Sequence, residues 1–159
     1  MTLATPAGPL GLTADGAGLV RVRWLPADSL IGPDFGVTPL LDRARVAVRT
    51  YLADPARPRP PVPLGKVAAT VFQRRVWRLM LAIPSGAVRT YGDLARDLGT
   101  SPRAVGAAAR ANPWPVLVPC HRVMARGDLG GYGGPDPEAR AIKRWLLEHE
   151  GASLPEGAA

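Results

Sequence analysis

The stretch Asp93–Ala111, which reads DLARDLGTSPRAVGAAARA, decides the fold of the C-terminal half of the chain. A short helix is predicted over residues 93–98, and Gly99 stops it. Ser101-Pro102 then begins a second helix, with the serine as its N-cap. Two short helices joined by a glycine-containing turn predict a helix-turn-helix.

The second helix of this pair is made almost entirely of small residues. It lacks the Gln, Asn and additional Arg side chains that read base edges in a major groove. A small-faced helix permits close approach to a DNA backbone or minor groove, with one long arginine reaching in from its start. Packing of a thin helix in a protein core would explain the same composition. The candidate DNA-binding residues are Arg103, Ala104, Gly106, Ala107 and Arg110.

Two features organise the N-terminal half. Alternating apolar residues around the turn sequence at 15–18 predict a β-hairpin between Pro9 and Trp24. Thr38-Pro39 begins a helix whose apolar residues share one face, which we expect to pack on the hairpin.

Five prolines in residues 55–63 exclude a helix there and indicate a linker. The predicted domains are therefore an N-terminal α/β domain over 1–63, including this linker, and a C-terminal domain over 64–151, followed by a tail at 152–159. The C-terminal domain is expected to open with a capping box formed by Thr70 and Gln73. The fold class predicted from these elements is α+β.

Cys120 is the only cysteine, and His121 follows it directly. A thiol acts as a nucleophile only after losing its proton, so a neighbouring base is needed. Adjacent residues on a strand point to opposite faces, so contact requires a turn at Cys120 or a bridging water. A small buried cysteine without chemistry is the alternative.

Glu150 closes the last predicted helix, which begins at Asp136-Pro137 and ends before Gly151. An acidic residue at a helix C-terminus is disfavoured by the macrodipole, so its position requires a specific partner or a frayed, exposed helix end.

Composition limits the classes of function. The formal charge is +7, from 20 Lys and Arg against 13 Asp and Glu, and nearly all cations are arginine. Arginine favours phosphate contacts, although an arginine-rich proteome would give the same excess. One cysteine and two histidines make a structural zinc site unexpected, and no metal or cofactor is predicted. The absence of a long apolar run or a secretion signal predicts a cytoplasmic protein without membrane contact.

Taken in order, residues from about Thr70 to Gly151 resemble the O6-alkylguanine-DNA alkyltransferase family, the methylated-DNA protein-cysteine methyltransferases. The most specific part is Pro119-Cys120-His121-Arg122-Val123. Further matching residues are Phe72-Gln73, Val76-Trp77, Ile83-Pro84, Gly86, Tyr91, Leu94-Ala95, Arg103-Ala104-Val105-Gly106, Asn112-Pro113, Gly131-Tyr132, Lys143, Leu146-Leu147 and Glu150.

The resemblance implies a ribonuclease-H-like N-terminal unit, a winged-helix-like C-terminal domain and a monomer that contacts double-stranded DNA in the minor groove. It implies that the alkyl group of a flipped O6-alkylguanine moves irreversibly to Cys120, with O4-alkylthymine left open as a second substrate. The protein would lie in the cytoplasm and associate with the nucleoid while bound to DNA.

The resemblance also assigns roles to individual residues. His121 would be the base, acting through a water, and Glu150 would hold its imidazole. Arg103 would fill the gap left by the flipped nucleotide. The base pocket would comprise Tyr91 as hydrogen-bond donor, Asn112 as a brace, Pro115 and Tyr132 on the alkyl side, the Val118 carbonyl at the base edge, and Lys143.

The chain departs from the family pattern in three places. The segment from Gly99 to Arg103 is about two residues shorter than the family pattern, and about four extra residues precede Lys143. Gly133-Gly134-Pro135 stands where the family has Ser or Ala before paired glycines.

Two other classes of function stay open on the sequence. One is a non-enzymatic, alkyltransferase-like protein that flips the damaged base without repairing it, although such proteins carry another residue in place of the cysteine. The other is a winged-helix regulator or an unrelated cysteine hydrolase. A regulator should bind a defined DNA sequence, and a hydrolase should convert many substrate molecules per protein molecule.

Overall fold

A computed structural model describes residues 1–29, 36–130 and 136–154. It is a mixed α/β protein that divides into two compact units, Met1–Ala68 and Ala69–Ala159. The mixed class agrees with the α+β prediction. Among the described residues, no helix is both long and apolar enough to cross a membrane.

The first unit is built on a three-stranded antiparallel sheet in the order β1 (Thr2–Leu3), β2 (Leu10–Ala14) and β3 (Leu19–Trp24). Strands β2 and β3 form the predicted hairpin, and the Asp15 carboxylate accepts hydrogen bonds from the amides of Ala17 and Gly18 in the turn. Strand β1 was not predicted, because two residues are too few to show an alternating pattern.

Helix α1 (Pro39–Ala53) packs against β2 and β3. Its N-cap is Thr38, whose hydroxyl accepts from the Leu41 amide at 3.2 Å, as the Thr-Pro pair predicts. One apolar face of α1 is buried against the inward leucines and valine of the sheet; its buried residues are Ala44, Ala47, Val48 and Tyr51.

The proline-rich segment after α1 contains no helix or regular strand. Its end returns to the sheet, where Leu64 forms an isolated parallel bridge with Leu19. The Leu19 amide donates to the Pro63 carbonyl at 2.8 Å, and the Gly65 amide donates to the Leu19 carbonyl at 2.9 Å. The first unit therefore extends to Ala68, beyond the predicted boundary at Pro63.

The second unit contains four helices and one small sheet in its described residues. These elements are α2 (Val71–Leu81), β4 (Arg89–Thr90), α3 (Tyr91–Leu98), α4 (Pro102–Arg110), a 3₁₀ turn (Cys120–Arg122), β5 (Val123–Met124) and α5 (Pro137–His149). Strands β4 and β5 pair in parallel. Because β4 leads directly into α3, this pairing brings the start of α3 next to the cysteine turn.

Two of these helices begin with capping boxes. Thr70 and Gln73 form the predicted one at α2. At α3 the Thr90 hydroxyl accepts from the Asp93 amide at 3.1 Å, and the Asp93 carboxylate accepts from the Thr90 amide at 2.8 Å. Helix α3 therefore begins at Tyr91, earlier than the predicted start at Asp93.

The turn between α3 and α4 is short. Gly99 ends α3 in the left-handed conformation with φ 61°, and the Ser101 hydroxyl caps α4 by accepting from the Ala104 amide at 3.2 Å. Helix α4 buries Val105, Ala108 and Ala109. The Trp77 indole of α2 donates to the Ala108 carbonyl at 2.8 Å, so the inner small residues of α4 allow a close helix contact.

Candidate active site

Cys120 begins the 3₁₀ turn that ends at Arg122. The Arg122 amide donates to the Pro119 carbonyl at 3.1 Å, so the chain turns at the cysteine instead of continuing as a strand. Successive side chains in a 3₁₀ turn lie about 120° apart and not on opposite faces. Cys120 is 8% exposed and His121 is fully buried. The chain therefore makes a turn at Cys120, which is one of the two predicted ways to bring the thiol and the imidazole together.

The Glu150 carboxylate is the centre of a buried hydrogen-bond network. Its Oε1 atom pairs with His121 Nε2 at 2.7 Å and accepts from Arg122 Nη2 at 2.9 Å. Its Oε2 atom accepts from Arg122 Nε at 2.9 Å and from the Gly86 amide at 3.1 Å. Two carboxylate oxygens offer about four lone-pair sites, so these contacts occupy the group fully.

The network sets the proton positions on Glu150 and His121. Burial raises the pKa of Glu150, but hydrogen bonds and charge from His121 and Arg122 outweigh burial and hold it far below its usual range. Desolvation lowers the pKa of His121, and the opposing effect of Glu150 does not cancel it. An ionised carboxylate can only accept, so Nε2 of His121 carries the hydrogen and Nδ1 is the nitrogen that can take a proton.

Lys143 is a buried cation next to the cysteine turn. Its Nζ atom donates to the carbonyls of Val123 and Leu129, both at 2.6 Å, and lies 5.8 Å from the Tyr91 ring centroid. Burial lowers the pKa of Lys143 to about 8, while negative charge on Cys120 opposes this shift. The ammonium can therefore stabilise a thiolate at Cys120.

Tyr91 is half-buried at the first position of α3. Burial, followed by negative charge on Cys120, raises its pKa to about 12, so the hydroxyl stays protonated and can donate. Gly130 has φ 72°, and a β-carbon there would lie 2.9 Å from Tyr91 Cε2. A β-carbon at Gly106 would lie 4.0 Å from the same ring, in ordinary contact. Gly106, predicted to face DNA, thus also lies beside Tyr91.

Asn112 braces the loop that leads to Cys120. Its Nδ2 atom donates to the Val118 carbonyl at 2.8 Å, and its Oδ1 atom accepts from the Trp114 amide at 3.0 Å. The Cys120 amide also donates to the Val118 carbonyl, at 2.8 Å. The Val118 carbonyl thus already accepts two hydrogen bonds from within the loop, and its use at the base edge stays a prediction.

The same loop carries a strained residue. Val116 is buried with φ 71°, a left-handed conformation that is rare for a β-branched side chain. Trp114 packs edge-on against Trp77 of α2, with ring centroids 5.6 Å apart. Pro115, which lies between Trp114 and Val116 in the chain, is half-buried. The surrounding packing holds the strained backbone in place.

Helix α4 presents a small-residue face flanked by arginines. Arg103, Ala107 and Arg110 are exposed at i, i+4 and i+7, while Ala104 and Gly106 are half-buried. A cavity of about 340 Å³ opens beside Tyr91; it is lined by Thr90, Tyr91, Gly92, Asp93, Arg96, Pro102, Ala125 and Arg126. Tyr91, whose pKa responds to charge on Cys120, thus also lines a cavity that carries two arginines.

Comparisons with known proteins identify the family. The model of the 6-O-methylguanine DNA methyltransferase DNA-binding domain matches residues 71–152. The chain is 40% identical over 153 residues to a DNA base-flipping protein of Thermus thermophilus, covering 96% of this chain and 99% of that protein. The chain belongs to the O6-methylguanine DNA methyltransferase family.

Further members of the O6-methylguanine DNA methyltransferase family are similar in sequence and in structure. A methylated-DNA–protein-cysteine methyltransferase of Archaeoglobus fulgidus is 46% identical over 88 residues, which are 54% of this chain and 60% of that relative's length. A Mycobacterium tuberculosis OGT solved in complex with DNA superposes with a TM-score of 0.76 at 37% identity, covering 98% of this chain and 94% of that one. The family resemblance predicted from the sequence is confirmed.

The structure gathers most of the predicted family residues in one place. Cys120, His121, Glu150, Tyr91 and Lys143 are linked by hydrogen bonds or by charge. Tyr132 lies outside the described residues. Within residues 1–29, 36–130 and 136–154, no group of three or more metal-ligating side chains is present.

Two residues of this network were not predicted to have a role. Arg122 and Gly86 both donate to Glu150, whereas in the sequence they stand out only as parts of the family pattern. The arginine next to the Cys-His pair in the sequence was the available signal, because a buried carboxylate requires a cationic partner.

Proposed function

We propose that this protein repairs alkylated DNA by direct reversal. It flips an O6-alkylguanine out of double-stranded DNA and transfers the alkyl group to Cys120, once and irreversibly. O4-alkylthymine is a second candidate substrate of the same chemistry. The observation that carries the proposal is the buried hydrogen bond between Glu150 and His121, which places a paired imidazole next to Cys120 on the same tight turn. The names of two relatives support the proposal, and so does the structure of a third relative in complex with DNA.

The proposed reaction starts with removal of the thiol proton. His121 Nδ1 accepts that proton through a bridging water, because Nε2 is already committed to Glu150. The Glu150 carboxylate stabilises the resulting imidazolium, and the Lys143 ammonium stabilises the thiolate. Burial keeps His121 neutral before the reaction, which is the form that a base requires.

The thiolate then attacks the alkyl carbon. A sulfur–carbon bond forms as the bond from that carbon to O6 breaks, and the bonding electrons stay on the guanine. Tyr91, whose pKa is raised to about 12, donates a hydrogen bond to the departing base. The guanine gains one proton, which balances the proton lost by the thiol. The thioether product has no good leaving group, so each molecule acts once.

The proposed DNA surface is the outer face of α4. Its small side chains allow the helix to lie in the minor groove, and Arg103 occupies the space left by the flipped nucleotide. Arg110 and the two arginines beside the cavity near Tyr91 can contact backbone phosphates. The base would enter between Tyr91 and the cysteine turn, with Pro115 and Tyr132 on the alkyl side.

The finer description of the fold also belongs to the proposal. The meander of β1 to β3 followed by α1 supports a ribonuclease-H-like first domain. The α3–α4 pair with the β4–β5 sheet supports a winged-helix-like second domain. The protein is proposed to act as a monomer on chromosomal DNA, in the cytoplasm and at the nucleoid.

A test of the proposed function follows intact protein mass after incubation with duplex DNA containing one O6-methylguanine. The wild-type protein should gain the mass of one methyl group, with no further methyl removed after one equivalent. Cys120→Ala should bind the same duplex and gain nothing. Wild-type protein that binds the damaged duplex without gaining mass would instead indicate the non-enzymatic base-flipping alternative.

A further inference from the structure

We infer that the turn between α2 and β4, residues 83–86, is the positioning element for Glu150 and so controls the proton transfer to His121. Gly86 is its key residue. The inference rests on the proposed alkyl transfer, in which His121 must act as a base. It adds a residue that supports the reaction through its backbone, without touching the substrate.

Two contacts tie Glu150 to this turn. The Gly86 amide donates to Glu150 Oε2 at 3.1 Å. Arg122 connects the turn to the same carboxylate, because its Nη1 atom donates to the Ile83 carbonyl at 2.6 Å while Nε and Nη2 donate to Glu150. The carboxylate therefore takes its position from both ends of one short turn.

The fit at Gly86 excludes a side chain. Its φ is +78°, which L-residues other than glycine rarely adopt, and a β-carbon there would lie 2.9 Å from the Glu150 carbonyl oxygen. That oxygen belongs to the backbone at the C-cap of α5, so it cannot move away like a flexible side chain. A methyl group at position 86 should push Glu150 away from the turn.

A displacement of Glu150 would also displace the His121 imidazole, because the two side chains are hydrogen-bonded. The imidazole Nε2 is 2.7 Å from Glu150 Oε1, so the carboxylate fixes both the tautomer and the ring orientation. A tilted or shifted ring would place Nδ1 wrongly for the proton of Cys120. Small misplacements of this kind in an active site can reduce rates by about a hundredfold.

Gly99 provides a matched control. It also has positive φ, +61°, but a β-carbon there would meet no atom within 4 Å. Gly86→Ala and Gly99→Ala therefore share the backbone strain of alanine at positive φ, and only the first disturbs Glu150. Methyl transfer should be measured in single turnovers at saturating damaged duplex, so that differences in DNA affinity do not contribute.

We expect Gly86→Ala to transfer the methyl group at least about tenfold more slowly than Gly99→Ala. The Nε2 proton resonance of His121, measured without DNA, should shift or disappear only in Gly86→Ala. Equal transfer rates in the two variants, or an unchanged His121 resonance, would overturn the inference. Failure of the wild-type protein to transfer any methyl group would instead overturn the proposed function.

A backbone substitution covers the case in which Gly86→Ala does not fold. Replacing the amide of residue 86 by an ester removes the N–H donor and adds no side chain. The slower transfer and the altered His121 resonance are expected again. Wild-type values for both in the ester variant would show that the Gly86 amide does not position Glu150.

Discussion

Arg122 and Glu150 form a bidentate ion pair that is almost entirely shielded from water. The Nε–Oε2 and Nη2–Oε1 distances are both 2.9 Å, and the two side chains are 5% and 0% exposed. Glu150 also caps the C-terminus of α5, where the helix dipole disfavours a negative charge. Arg122 offsets both the dipole and the loss of solvation, so the arginine is expected to matter for folding as well as for the site.

Replacing Arg122 with Met should leave the buried Glu150 carboxylate without its main counter-charge. Breaking one side of a buried pair typically costs about 3–5 kcal/mol, and a loss of that size is expected in urea unfolding at neutral pH. Arg144→Met is the matched control, because its pair with Glu148 is 4.0 Å long and exposed. That variant should lose no more than about 1 kcal/mol. Similar small losses in both would show that Glu150 does not depend on Arg122.

Stability should fall as the pH is lowered below the ordinary pKa of histidine, about 6.5. Burial depresses the pKa of His121 in the folded protein, so the unfolded chain takes up the proton first. The contribution of the neutral, buried His121 to the free energy of unfolding is therefore complete above about pH 6.5. It is lost as the pH falls, by up to about 1.4 kcal/mol per pH unit for one group. Urea unfolding at several pH values measures this slope.

The two histidines of the chain allow a paired control for this pH effect. His121→Gln should flatten the slope just below pH 6.5, whereas His149→Gln should keep it. The slope at lower pH should persist in both, because Glu150 has a depressed pKa and loses its contribution as it is protonated. A His121→Gln variant with an unchanged slope would mean that this imidazole is not held neutral by burial.

Asn112→Asp should separate the two hydrogen bonds of the asparagine. The carboxylate can still accept from the Trp114 amide, but it has no N–H to donate to the Val118 carbonyl. A loss of about 1–3 kcal/mol in unfolding free energy is expected, together with slower methyl transfer, because the same carbonyl receives the Cys120 amide. Wild-type stability in this variant would contradict the bracing role.

Local hydrogen bonds explain why much of the fold could be predicted from the sequence. The caps at Thr38, Thr70 and Ser101 involve residues three positions apart, so their signals are contained in short segments. The predicted start of α3 at Asp93 is wrong, because Asp93 is the third residue of the helix and closes a capping box with the N-cap Thr90.

Contacts distant in sequence explain what could not be predicted. Gly86 and Glu150 are 64 residues apart, and Arg122 and Glu150 are 28 apart. No periodicity or spacing indicates such pairs. The two hydrogen bonds that the Val118 carbonyl accepts could not be predicted for a related reason: they depend on the path of the loop between Asn112 and Cys120, which includes the left-handed Val116.

Arg103→Ala should weaken repair of duplex DNA more than repair of single strands. Arg103 is exposed at the start of α4, and its proposed role is to occupy the space left in the base stack. A single strand has no such space to fill, and extruding a base from a duplex costs a few kcal/mol. We expect transfer on a damaged duplex to fall by about tenfold or more, which corresponds to about 1.4 kcal/mol, with little change on a single strand.

Arg78→Ala, on the exposed side of α2, should leave both rates unchanged. Equal losses on both substrates would show instead that Arg103 only contacts the phosphate backbone.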